Sequence, residues 1–368
     1  MKIQIKDIVT TILFGVILFG VCLLCILKPA DIYSVSERRE LASFPQFTKE
    51  TFLDGSFAED FETYATERFP YRDGFRSLKA HFNSKVFNRL DNNGVFVAEG
   101  HISKIDDTEN PEMMNHAAER FSFLYEMFMK DCNTRVYFSI VPDKNFFLAE
   151  KNGYPSLDYS SFIEKMKEKT QYMQYIDVTE RLSLSDYYTT DTHWRQEKIV
   201  DVAGKLADGM GVAIGTEYKQ NRLEKPFYGV YTGQLAMKFE PDELIYLTND
   251  TIDNCIVTYY DTGMPRKGPM YNVDKANGKD PYELFLSGTM PFVTIENPNA
   301  NTQRELVLFR DSFGSCLAPI LAEGYKKISV VDIRYMQSAY VGNFVDFENG
   351  DVLFLYSTTL LNNSLAMK

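Results

Sequence analysis

The run from Ile8 to Leu27 carries no charged residue. At about 1.5 Å of rise per residue, a helix of that length covers about 30 Å, the thickness of a bilayer's hydrocarbon core. The run therefore predicts a membrane span over residues 8–27 and leaves the rest of the chain to fold elsewhere. Lys2 and Lys6 precede it and acidic residues soon follow Lys28. The positive-inside rule then puts the amino terminus in the cytoplasm and the remainder outside, anchored to the cytoplasmic membrane by a single pass. A cleavable signal peptide is the competing reading. The run exceeds a typical h-region and no A-x-A site follows it, which favours an uncleaved signal anchor.

About 340 residues remain beyond the span, enough for one large α/β domain or a domain with an added lobe. Composition suits a globular fold, with 45% hydrophobic residues, 23 Tyr and 28 Phe, aromatics that could line a sugar-binding cleft. A net charge of -12 argues against nucleic acid or an anionic lipid surface as the main partner. Two of the five cysteines lie in the span, leaving Cys132, Cys255 and Cys316, an odd number without metal spacing. The chain lacks H-E-x-x-H, P-loop and Rossmann glycine signatures, so no metal or nucleotide cofactor is expected.

Residues 31–56, with Pro45, read as a linker, and residues 57–368 as the extracytoplasmic domain. Helical spacing runs through 57–88, for instance at Phe57, Phe61 and Tyr64. Residues 135–141 form a β-branched and aromatic run, 162–172 return to helical spacing, and 175–178 resemble another strand. This β-α-β order implies parallel strands with right-handed crossovers. Residues from about 215 to 298 break the alternation and read as an inserted β-rich region. The parallel pattern resumes at 306–309, 328–333 and 352–356.

Polar residues follow three of these strands, where open α/β sheets bind ligands. They are Asp143-Lys144, Asp311-Ser312, and Asp332 with Arg334 and Tyr335. Lys144, Arg334 and Tyr335 are candidate substrate contacts, with a bracing role the alternative for Lys144 and Arg334. Ser312 falls on a strand-to-helix turn, which would expose its hydroxyl and aim helix amides at a developing oxyanion. Asp191-Thr192-His193-Trp194 places a carboxylate and an imidazole two residues apart, at the predicted entrance of a helix over 194–210. A Ser hydroxyl attacks acyl carbonyls poorly until an imidazole takes its proton, and the imidazole needs a carboxylate to hold its tautomer. Helix capping is the plainer role for both Ser312 and Asp191. His81, His101 and His116 lie away from either box, and Trp194 is expected to pack beside His193 and fix its orientation.

The D-T-H-W box, the later R-D-S-F box and their order resemble the DHHW family, which is similar to the alginate O-acetylation proteins and to SGNH hydrolase-like folds. The resemblance extends over Glu37-Arg38-Arg39-Glu40-Leu41, Arg68-Phe69-Pro70-Tyr71-Arg72-Asp73, Asn93-Gly94-Val95-Phe96, Val141-Pro142-Asp143-Lys144, Tyr282-Glu283-Leu284-Phe285-Leu286-Ser287-Gly288 and Val331-Asp332-Ile333-Arg334-Tyr335. It implies an SGNH hydrolase-like parallel-sheet sandwich with a circularly permuted motif order. It also implies Ser312 as nucleophile, His193 as base and Asp191 as orienter. Thr192 stands where the family name implies a first histidine. Thr289 stands where relatives often carry Asn or Asp, which leaves the Gly288 amide as a weak candidate for the second oxyanion donor.

The activity implied is O-acetyl transfer to a cell-surface or secreted polysaccharide outside the cytoplasm, with a membrane-bound O-acyltransferase as donor-side partner. An esterase using the same three residues and a non-catalytic glycan-binding scaffold are the alternatives.

Overall fold

A computed structural model describes residues 4–27, 32–34, 36–261, 264–348 and 350–368. Lys2 and Lys28 lie outside the described residues. The amino-terminal helix α1 (Ile5–Leu27) contains a segment, Ile5–Cys25, long and apolar enough to cross a membrane, and none of it is buried.

The chain divides into two compact units. The smaller comprises Met1–Asn93 with Thr232–Lys238. After α1 it contains helices α2 (Lys49–Leu53), α3 (Ser56–Glu67) and α4 (Arg72–Lys85). Thr48 caps α2 by accepting the Thr51 amide, as short hydroxyl side chains do at N-termini. The helical spacing over 57–88 is interrupted between α3 and α4. Pro70 there cannot donate a backbone hydrogen bond, and Tyr71 turns the chain at φ 57°. Glu37 clamps the start of α4 through Arg72 Nη1 at 2.6 Å and Arg76 Nη2 at 3.2 Å.

The larger unit, Gly94–Tyr231 with Phe239–Lys368, is built on an eight-stranded sheet. Its strands are β1 (Arg135–Val141), β2 (Gln174–Tyr175), β3 (Ile256–Tyr259), β4 (Arg266–Gly268), β5 (Phe292–Glu296), β6 (Glu305–Arg310), β7 (Lys327–Val331) and β8 (Asp351–Ser357). They lie in the order β4-β3-β5-β7-β6-β8-β1-β2. Pairing is parallel from β7 through β6, β8 and β1 to β2. Every residue of β8 is buried, as expected for a parallel strand covered on both faces.

Successive side chains of a strand point to opposite faces, and the core divides accordingly. Leu308, Leu353 and Leu355 pack with Val202 and Leu206 of α7 (Val200–Met210) and with Leu317 and Ile320 of α8 (Phe313–Leu321). On the other face, Phe138, Phe309 and Phe354 meet Phe121 of α5 (Pro111–Phe128) and Phe162 of α6 (Tyr159–Lys169). Phe309 and Phe354 stack at 4.5 Å. The unit is thus a three-layer α/β sandwich.

Two expectations change. The β-rich stretch at 215–298 is not simply inserted, because β3, β4 and β5 extend the central sheet as antiparallel strands beside β7. The helix expected from Trp194 starts at Val200. Residues 187–195 instead form a hairpin-like loop, in which Tyr187 bridges Trp194, Tyr188 N donates to His193 O and Arg195 N donates to Asp186 O. The Tyr188 bond engages the His193 carbonyl, which the first turn of a helix from Trp194 would use as an acceptor.

Candidate active site

The sheet brings Ser312 to the carboxyl end of β6, between that strand and α8. Asp311 shapes this turn. One carboxylate oxygen accepts the Phe313 amide at 3.0 Å and the other accepts the Ser357 amide at 2.9 Å, tying the turn to the end of β8. Gly314 is required by a close approach, because a Cβ there would lie 2.5 Å from the Arg310 Cβ. Ser312 occupies the helix N-cap position but makes no side-chain cap bond. Its hydroxyl instead meets His193 Nε2 at 2.7 Å.

His193 is held from three sides. Nδ1 lies 2.6 Å from Asp191 Oδ1, the same oxygen that accepts the His193 amide at 3.2 Å. A proton on Nδ1 satisfies that carboxylate and leaves the Nε2 lone pair facing the Ser312 hydroxyl. Tyr282 stacks on the imidazole with centroids 3.8 Å apart and planes 8° from parallel. The Tyr282 hydroxyl donates to Ser312 O at 3.4 Å, and burial pushes its ionisation well above the ordinary tyrosine range. It therefore acts as a neutral donor and packing surface at neutral pH.

Asp191 is not a helix cap. Its second oxygen accepts the Val230 amide at 2.9 Å, while the preceding residues are gripped by buried Asp242. That carboxylate accepts from the amide and hydroxyl of both Thr189 and Thr190, at 2.5 to 2.8 Å. Gly229 lets the Val230 segment approach, since a Cβ there would lie 2.3 Å from the Thr190 carbonyl and 2.4 Å from the Asp191 Cβ.

The other candidates take up different positions. Lys144 is buried, with Nζ donating to Ile102 O at 2.5 Å and Tyr188 O at 3.0 Å, and burial lowers its pKa to about 7. It braces the loop leading into Asp191. Arg334 grips Asp332 with two bonds, of 2.9 and 2.6 Å, which favours bracing over substrate binding. Tyr335 stands half exposed beneath the Arg334 guanidinium. The Gly288 amide donates to Phe285 O at 3.0 Å and so has no proton to spare for an oxyanion. Gly288 ends a left-handed run with Leu286 and Ser287, at φ 50°, 59° and 81°. The Ser312 amide makes no hydrogen bond to a described residue. Among the described residues, no group of three or more His, Cys, Asp or Glu is placed to hold a metal ion.

Sequence reasoning passed over Gly229, Val230 and Asp242. Val230 and Asp242 act on backbone or through backbone groups, from positions separated from their partners by 39 and 52 or 53 residues, and no spacing rule announces such contacts. Tyr282 lay within the quoted family resemblance, but nothing local marked it as the partner of His193.

Residues 37–139 match the family model described as DHHW protein. A crystal structure of a DHHW family protein from Eubacterium siraeum is similar over 75% of this chain and 95% of its own, with 22% identity and a TM-score of 0.61. Bacillus cereus PatB1 is similar over 73% of this chain and 96% of its own, at 19% identity and a TM-score of 0.57. A second PatB1 structure, with a sulfonyl adduct, covers 73% of this chain and 97% of its own at 18% identity, with a TM-score of 0.56. These likenesses establish a shared fold. Among curated protein sequences, none matches the chain.

Proposed function

We propose that the protein is a membrane-anchored, extracytoplasmic O-acyltransferase that modifies a polysaccharide through Ser312, His193 and Asp191. The observation that carries this reading is the continuous contact from Asp191 Oδ1 to His193 Nδ1, at 2.6 Å, and from His193 Nε2 to Ser312 Oγ, at 2.7 Å. Both distances suit proton transfer along a nucleophile, base and orienter. A Ser that only capped α8 would turn its hydroxyl to the helix amides.

In the proposed reaction, Ser312 Oγ bonds to the acyl carbon of a donor while its proton passes to His193 Nε2. The carbonyl oxygen becomes an oxyanion, for which the Ser312 amide at the start of α8 is a suitable donor. Collapse expels the donor's leaving group, which takes the proton from His193 and leaves an acyl-Ser312 ester. A sugar hydroxyl then gives its proton to His193 Nε2 as its oxygen bonds to the acyl carbon, and the acyl–Oγ bond breaks as Ser312 Oγ takes that proton back, releasing the acylated sugar and regenerating Ser312. Asp191 stabilises the imidazolium in both halves.

The polysaccharide acceptor and a membrane-bound acyltransferase as donor-side partner follow from the DHHW resemblance. The span in α1 supports anchoring, with the larger unit outside. If water replaces the sugar hydroxyl, the same residues make an esterase.

The test is acetate release from an activated acetyl ester by the full chain in detergent. Ser312→Ala and His193→Ala should each lower the rate by about 10²–10⁴-fold. The reading also expects a sulfonyl reagent to modify Ser312, in keeping with the adduct formed by PatB1. Equal rates for the wild type and both variants would refute it. Mass analysis of cell-surface glycans with wild type and Ser312→Ala then separates transferase from esterase.

A further inference from the structure

Helix α4 is built inside out. Its arginines point into the smaller unit, where Arg72 and Arg76 side chains are only 18% and 17% exposed against Glu37. Its large apolar residues point away, with Phe75 at 56%, Leu78 at 53% and Phe82 at 48% exposure, followed just past the helix by Val86 at 58%, while the small Ala80 is buried. Spacings of three and four residues put these side chains on one stripe. Soluble surfaces seldom expose a continuous apolar stripe without covering it. Phe75 of this stripe also lines a cavity of about 550 Å³ together with Ala65, Phe69, Arg72, Arg76 and Lys79.

We propose that this face of α4 lies in the lipid–water interface of the membrane that α1 crosses. The inference rests on reading α1 as a membrane span. Chain continuity selects lipid as the occupant. Glu37, which clamps the first turn of α4, follows the end of α1 through residues 28–36, and that stretch extends no more than about 32 Å. An apolar stripe flanked by basic residues is the pattern of helices that lie in the headgroup region with their apolar side among the upper acyl chains. Lys79 and Lys85 are exposed and complement lipid phosphates. The chain's overall negative charge does not oppose this contact, because apolar side chains make it.

The full chain carrying Phe82→Trp, reconstituted in phosphatidylcholine vesicles, tests the placement. Trp194 is entirely buried and supplies a background measured with the wild type. Lipids brominated high on the acyl chain should quench the added emission by about twofold or more, as for residues of an interfacial helix. Leu78→Trp on the same stripe should behave alike, which guards against a fault in one variant. Protein that floats with the vesicles while neither added Trp is quenched beyond the wild type overturns the interfacial placement alone. Protein that does not float overturns the anchor reading and this inference with it. A photo-crosslinker at Leu78 that labels a membrane protein and no lipid in cell membranes would also overturn it, giving the face to a protein partner.

Discussion

Trp194 Nε1 donates a 3.0 Å hydrogen bond to Phe313 O, with the indole entirely buried. The bond joins the residue after His193 to the residue after Ser312, although 119 positions separate them. Gln196 adds a second tie, its Nε2 donating to Cys316 O at 2.6 Å. The imidazole and the hydroxyl are therefore held together by neighbours that touch neither reacting atom.

Replacing Trp194 with Phe removes that donor and leaves Phe313 O without it. Cys316 Sγ still donates to Phe313 O at 3.5 Å, so the loss is that of one hydrogen bond, about 0.5–1.5 kcal/mol, and the chemical step should weaken as His193 loses its register to Ser312. Thermal unfolding of the detergent-solubilised chain, measured with ester turnover, checks both. An unchanged transition temperature and rate would show that the tie is idle.

Gly229→Ala should impair activity more than stability. The added methyl meets the Thr190 backbone, which cannot rotate aside, and overpacking of this kind costs about 1–3 kcal/mol. It pushes first on Asp191, so the His193 ring loses its orienting carboxylate before the core is disturbed. The expected signature is a lower kcat with KM little changed, in protein that still unfolds cooperatively.

Burial holds the Lys144 amine near a pKa of about 7, below the ordinary lysine value of 10.5, against the raising influence of Asp191, Asp242 and Asp143. Between those two values the unfolded chain binds more protons than the folded one. Stability should therefore rise with pH from about 7 to about 10.5, by up to about 1.4 kcal/mol per unit for this single group. Lys144→Met should flatten that part of the profile. A slope that survives the substitution would assign it to other groups.

Asp332 serves two arginines. Arg334 binds it through both oxygens, and Arg310, fully buried, approaches it at 3.3 Å. Asp332→Asn removes the carboxylate paired with the buried Arg310 charge and should cost about 3–5 kcal/mol. Adding Arg310→Met should recover much of the loss, because the buried charge goes as well. Failure of the double variant to recover would show that Asp332 matters through its own hydrogen bonds.

Much of the architecture was legible in the chain. The parallel strands 306–309, 328–333 and 352–356 announce themselves because a strand buried on both faces must be apolar throughout. The uncharged run at 8–27 predicts its own helix because length and hydropathy alone suffice. Ser312 and the Asp191–His193 pair were visible as candidates because side chains at a strand end or two residues apart are set by local geometry. Local geometry misled where backbone groups were already engaged. The D-T-H-W box looked like a helix entrance, yet the bonds from Tyr188 and Arg195 make it a hairpin.

What only the tertiary structure decided is which distant groups complete the site. Tyr282 stacks on His193, Val230 and Gly229 close on Asp191, and Asp242 grips Thr189 and Thr190, each from another part of the chain. Those contacts arise where loops from several strands converge. Periodicity reports which face of an element is buried, but the partner across a loop is chosen by packing, and packing exists only once the sheet has formed.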